Sequence, residues 1–178
     1  LEANSVTAIA AEKNGDFWLG TADGLVHLDP VTGTVARYAR DPTAFNGNRV
    51  MDIVVDASNA VWVSTEGEGL YVYTKDEKFP QGHFTNYRHQ PGRNTSLATN
   101  VTRAIYVDRM GDVWVGYYPA GVDYLSRSGA AITSYRHETN NPRSLSADAI
   151  LDVREDSKGN LWLGTDGGGL NYLDRGTD

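Results

Sequence analysis

The chain has 178 residues, no cysteine and a formal net charge of −7 at pH 7. The lack of cysteine excludes disulfides and thiol chemistry, and the acidic balance speaks against nucleic acid, which needs a basic face. No apolar run approaches the ~18 residues of a membrane span, so the expectation is a globular module with no membrane contact of its own.

In chain order, a short apolar run around Ile9 leads through Glu12 and Gly15 into GDFWLGTADGL, and the segment ends on TVARYAR from Thr34. VMDIVVD from Val50 opens a second passage with NAVWVSTEGEGL, LYVYT from Leu70 and FTNYRH from Phe84. A third runs from Ile105 through GDVWVGYYPAGV to ITSYRH from Ile132. The fourth runs from Val153 through GNLWLGTDGGGL to NYLDRGTD, and nothing like ITSYRH follows it. LEANSV at Leu1 aligns with LSADAI at Leu145, so the chain begins in phase.

These are four copies of one phrase. Their tryptophans, Trp18, Trp62, Trp114 and Trp162, are spaced by 44, 52 and 48 residues. Fourteen residues before each stands Asn4, Asn48, Asn100 or Asp148. Nine before stands Ile9, Ile53, Ile105 or Val153; six before, Glu12, Asp56, Asp108 or Asp156; three before, Gly15, Asn59, Gly111 or Gly159. Short β-branched runs between Gly-rich turns predict strands, and no window carries a sustained 3.6-residue apolar period, so no helix is predicted. Antiparallel four-stranded units repeated at this length predict an all-β protein of the β-propeller type, its blades stacking to bury each Trp. The repeats fall at roughly 1–44, 45–96, 97–144 and 145–178 within a single domain, the last lacking its outer strand. Trp162 is expected to be the least protected of the four, because no fifth copy follows to cover it unless another chain or the first blade does.

The turn before each Trp has its own logic. The acid six before Trp accepts hydrogen bonds from backbone amides ahead of it, and Gly15, Gly111 and Gly159 take a positive φ. Asn59, which tolerates that region best among side-chain-bearing residues, replaces glycine in the second copy. The acid is thus read as a turn-former. Asn4, Asn48, Asn100 and Asp148 are read as caps of turns and strand starts.

The fourth copy, ILDVREDSKGNLWLGTDGGGL, resembles the two-component regulator propeller repeat, and the resemblance covers essentially the whole chain. It implies a segment of an extracytoplasmic or periplasmic sensor, whose output module in the family is a histidine kinase or a diguanylate cyclase. It implies a propeller of about seven blades, within the four to eight usual for the architecture, so that these copies form an arc of a larger ring; the alternative is strained closure into a four-bladed ring. It also implies a small molecule, with oligosaccharides one class, as ligand. Bare end blades predict partnership with neighbouring blades or with a second copy of the chain. No leader is legible ahead of Leu1, as for a mature or excised region.

Neither a phosphate loop, a dinucleotide fingerprint, a nucleophile elbow nor a zinc-binding His pair is present, so no cofactor, metal or catalytic residue is predicted. His89 and His137 are read as a solvated edge. Two other readings stand beside the sensor: a streptogramin-lyase-like propeller, which needs a metal and a base near the axis that no inner-strand His–Glu pair supplies, and a purely structural or dimerisation segment.

Departures from the repeat locate the candidate ligand site. Tyr117 and Tyr118 replace Thr plus a small or polar residue; they either form a flat amphipathic surface for sugars or apolar groups, or pack between blades and over a loop. Arg103 stands where the other copies have Thr7, Met51 and Leu151, and Arg49 lies at a neighbouring strand start. Glu66 and Asp166, with Glu68 and Asp23, lie in the turns between second and third strands, where they serve a polyhydroxylated ligand or form a solvated rim.

Overall fold

A computed structural model describes residues 5–39, 41, 43–47, 49–127 and 132–176; Leu1, Asn4 and Asn48 lie outside them. Among the described residues every regular element is a strand and there is no helix, as expected. The chain forms two compact units, 1–88 and 89–178.

The N-terminal unit holds two antiparallel sheets. The first runs in the order β1 (Val6–Ala11), β2 (Phe17–Thr21), β3 (Gly24–Leu28), β4 (Val35–Tyr38). The second is β5 (Val50–Val55), β6 (Val61–Thr65), β7 (Leu70–Thr74), β8 (His83–Tyr87). The C-terminal unit repeats the plan with β9 (Thr102–Val107), β10 (Val113–Tyr117), β11 (Val122–Leu125), β12 (Ile132–Tyr135), then with a three-stranded sheet, β13 (Ile150–Glu155), β14 (Leu161–Thr165), β15 (Gly169–Leu173).

The turn joining first and second strands is built alike in three copies. Asp56 Oδ1 accepts the amides of Ser58 and Ala60, Asp108 Oδ1 those of Met110 and Asp112, and Asp156 Oδ1 those of Lys158 and Asn160, at 2.8–3.0 Å. Asn59 takes φ 68°, beside Gly15, Gly111 and Gly159 at 97°, 83° and 95°. The second carboxylate oxygen has a further task. The indole Nε1 of Trp62 donates to Asp56 Oδ2 at 3.0 Å, Trp114 to Asp108 at 3.1 Å and Trp162 to Asp156 at 3.2 Å; Trp18 donates to Glu12. The acid is turn-former and tryptophan anchor together.

Within each unit one sheet packs on the next. Trp18 and Val50 share a buried cluster with Leu25, Phe45, Ile53 and Val63. The Trp18 ring lies 5.6 Å from Tyr38 of its own sheet and 5.1 Å from Tyr73 of the second sheet. In the C-terminal unit Trp114 clusters with Ile150, Val153, Leu161 and Leu163. The glycine two residues after Trp permits this approach. A Cβ on Gly20 would sit 2.5 Å from Val50 Cγ1, and one on Gly116 2.7 Å from Ile150 Cγ2.

Burial grades the four tryptophans. Trp18 and Trp114 are 1 % and 2 % exposed, Trp62 is half-buried, and Trp162 is 38 % exposed. Trp162 is the least protected, in the order expected. Trp114→Ala should cost about 3–5 kcal/mol, whereas Trp162→Ala should cost clearly less; urea denaturation of both variants checks the ranking, and equal costs would contradict it.

Burial alone would raise the Asp56 carboxyl, but the hydrogen bonds from Ser58, Trp62 and Ala60 outweigh it and hold the group below its ordinary value. A carboxyl depressed in the folded state contributes stability that is full above its unfolded pKa of about 3.9 and is lost as pH falls through the lower folded value. Melting temperature should therefore fall below about pH 4, and less steeply in Asp56→Asn. Parallel acid limbs in the two proteins would refute this assignment.

Candidate functional site

The first strand of every copy contains a β-bulge near its start. Pairing slips between Val6 and Ala8, Val50 and Asp52, and Ile150 and Asp152, and in the third copy between Gly116 and Tyr117. The residue that the register skips is Thr7, Met51, Leu151 or Arg103. Arg103 thus does not occupy an ordinary strand position, as its sequence equivalents suggest. It sits on a bulge, which re-aims the side chain at the rim of a sheet.

In the C-terminal unit this places the Arg103 guanidinium over the ring of Tyr118, 5.6 Å from its centroid. Tyr118 follows β10 and is 46 % exposed. Its hydroxyl donates to Asp166 Oδ2 at 2.8 Å. That bond, with the Asp166 charge behind it, holds the phenol above its ordinary pKa. Asp166, on the turn after β14, is fixed by its own amide, which donates to Ala149 O at 2.8 Å. The amides of Ala120 and Gly121 donate to Asp148 O and seat the Tyr118 turn against the lead-in of the next sheet. An aromatic face, a cation and a carboxylate from three strand ends thus meet at one surface.

Tyr117 is elsewhere. It is fully buried, and its hydroxyl donates to Asp123 Oδ2 at 2.6 Å. Asp123, also fully buried, accepts in addition from Ala98 N and from Ser134 Oγ, at 2.8 and 2.6 Å. Burial first, and Asp123 second, push the Tyr117 phenol far up. Of the two tyrosines in the candidate surface, Tyr117 is core and Tyr118 is rim.

In the N-terminal unit Arg49 Nε lies 3.7 Å from Glu66 Oε2, both side chains about half exposed, and Glu66 N donates to Arg49 O. Such a pair contributes little to stability. Glu68 pairs with Arg88 at 2.5 Å; the Asp23 amide donates to Thr21 Oγ1. His89 and His137 are tied, each ring Nδ1 to the carbonyl of Leu97 or Leu145. Because a carbonyl can only accept, Nδ1 carries the proton. Their amides donate to Asn100 Oδ1 and Asp148 Oδ1, the two described members of the recurrent capping position.

Two features escape sequence reasoning. Three different third-strand side chains pin the residue sixteen before Trp62, Trp114 and Trp162: the Asn46 amide donates to Tyr71 Oη, that of Ala98 to Asp123, and that of Ser146 to Asn171. No shared residue type signals the link. The second concerns metals, where the sequence predicts no ligand set. Folding brings one oxygen each of Glu12 and Asp16 and a nitrogen of His27 within 4.8 Å of one another; equivalents of His27 in other copies are Val72, Tyr124 and Tyr172, so no repeat pattern marks it.

Tyr117→Phe deletes one of three donors to a buried carboxylate. It should cost about 1.5–3 kcal/mol in chemical denaturation; a neutral effect would show that Ala98 and Ser134 suffice.

The family model for the two component regulator propeller matches residues 144–167. Two solved structures described as extracellular domains of hybrid two component systems from B. thetaiotaomicron, BT3049 and BT4673, superpose on 99 % and 97 % of the chain with TM-scores of 0.82 and 0.76, both at 24 % identity. The chain spans about a quarter of each, 24 % and 22 %. Virginiamycin B lyase from Staphylococcus aureus matches 97 % of the chain at a TM-score of 0.63 and 16 % identity, over 56 % of the lyase. No curated protein matches the chain. Among the described residues no helix is long and apolar enough to cross a membrane. The recurrent phrase, the four sheets and these matches make the chain a β-propeller segment whose fourth copy is similar to the two component regulator propeller repeat.

Proposed function

We propose that the chain is a non-enzymatic recognition segment of an extracytoplasmic signalling receptor, and that Tyr118, Arg103 and Asp166 form its ligand surface. The observation that carries this reading is the Tyr118 ring, half exposed yet held by Asp166 through its hydroxyl and faced by Arg103. A solvated rim needs no such restraint, and the fold does not require it: the other copies place Ala22, Glu66 and Asp166 where Tyr118 stands. A pre-oriented ring favours binding because its rotamer is fixed before the ligand arrives. The polyhydroxylated class, oligosaccharides included, suits it. The C–H face of a sugar packs on the phenol, and Arg103 and the remaining lone pairs of Asp166 serve its hydroxyls. The extracellular origin of the two B. thetaiotaomicron domains supports a sensor. The likeness to virginiamycin B lyase is one of fold.

A structural or self-association role draws on another observation. Leu151, Trp162, Leu170 and Tyr172 of the last sheet are 38–65 % exposed, an apolar surface of the kind a further blade or a second copy of the chain covers.

An oligosaccharide array followed by calorimetry decides between them. The recognition reading expects at least one glycan to bind, Tyr118→Ala to weaken it about tenfold or more, and the melting temperature to stay put. Binding untouched by Tyr118→Ala and Arg103→Ala would sink the assignment of the surface.

A further inference from the structure

The first turn of the N-terminal unit departs from the other three. In those, one oxygen of the turn acid is consumed by two backbone amides. Here that duty passes to Asn14, whose Oδ1 accepts the amide of Asp16, the residue equivalent to Ala60, Asp112 and Asn160. Glu12 is also the one Glu among four turn acids, and its extra methylene carries the carboxylate farther from the turn. It meets His27, whose ring lies 4.6 Å from that of Trp18. His27 Nε2 is 3.5 Å from Glu12 Oε1 and 3.4 Å from Asp16 Oδ2.

The third copy shows what an acid pair at these positions attracts. There Asp108 and Asp112, six and two residues before Trp114, receive the guanidinium of Arg175: Nη1 lies 2.6 Å from Asp108 Oδ2 and Nη2 3.7 Å from Asp112 Oδ2. Asp108 is fully buried beneath it. In that copy the two carboxylates hold a cation. In the first copy the same two positions are acidic and face an imidazole.

We propose that Glu12, Asp16 and His27 form a divalent-cation site, with zinc the ion it fits best. Ligand atoms 2.0–2.2 Å from a tetrahedral ion lie about 3.3–3.5 Å apart, which matches the two distances from His27. An octahedral Mg²⁺ asks for about 3.0 Å and prefers oxygen alone. One nitrogen and two carboxylate oxygens leave a fourth position for water. The carboxylates are oriented by hydrogen bonds, as ligands usually are: Trp18 Nε1 donates to Glu12 Oε1 and Asn59 Nδ2 to its Oε2, and Asn14 Nδ2 donates to Asp16 Oδ2 at 2.8 Å. Asn59 belongs to the turn of the second sheet, so an ion here would tie the turns of the N-terminal unit together.

The test titrates zinc chloride, manganese chloride and calcium chloride into chelator-stripped protein, following heat and melting temperature. His27→Tyr is the informative variant, because Tyr124 and Tyr172 occupy the equivalent place and the fold accommodates them. The proposal expects one zinc per chain, a raised melting temperature, tighter binding than calcium, and a loss of at least about tenfold in affinity in His27→Tyr and in Asp16→Asn. Absence of zinc binding, or zinc binding of equal strength in His27→Tyr, as ligation at His89 or His137 would give, overturns it.

Discussion

The hydrogen bond from each tryptophan indole to the acid six residues before it couples the two halves of this repeat. A carboxylate has two oxygens. In three copies one closes the turn by taking backbone amides and the other takes the indole N–H. Turn geometry and ring orientation are therefore a single constraint. A buried indole N–H without an acceptor would carry its full desolvation penalty, so the ring can enter the core when the turn is formed and not otherwise. Once oriented, Trp18 and Trp114 present their faces to aromatic rings of the third and fourth strands, and the glycine two residues on admits Val50 or Ile150 from the next sheet.

That arrangement divides each sheet by function. One end, with its acid, its positive-φ residue and its tethered indole, is committed to structure. The other end carries the bulge and the turn between second and third strands. Thr7, Met51, Arg103 and Leu151 share the bulge, and Ala22, Glu66, Tyr118 and Asp166 share the turn, without common chemistry. Positions the fold leaves unspecified can carry recognition at small cost to stability. Tyr118 shows how far this goes: its neighbour Tyr117, one residue earlier, is wholly enclosed.

The architecture was legible because it is written four times. Spacing, turn acids and glycines, and the exchange of Asn59 for glycine each have one physical meaning, and together they leave little room for another fold. The site was legible in part. Departures from the repeat pointed to Arg103, Tyr118 and Asp166, which folding brings together, but could not separate Tyr118 from Tyr117. Strand alternation puts adjacent residues on opposite faces, yet the bulge pairs Tyr117 with Thr102 and disturbs that count. Nor could sequence foresee Asp123, buried and satisfied by three donors, because Val26, Tyr71 and Asn171 stand in its place elsewhere.

Internal repetition also supplies a control that a single-copy fold lacks. The pair of positions six and two before tryptophan appears as Glu–Asp, Asp–Ala, Asp–Asp and Asp–Asn. Where the second member is Ala60, the acid serves turn and indole alone. Where it is Asn160, the amide donates to Asp156 and its oxygen accepts from Arg175 N, so the pair carries one negative charge and not two. Where it is Asp112, a second negative charge accumulates beside a buried one, and the chain supplies Arg175. Burial of paired carboxylates demands compensation. The Glu12–Asp16 pair carries the same demand, and the group facing it is His27, a metal ligand as readily as an ion-pair partner. The same electrostatic requirement, met by guanidinium in one copy, is what gives the first copy its character as a cation site.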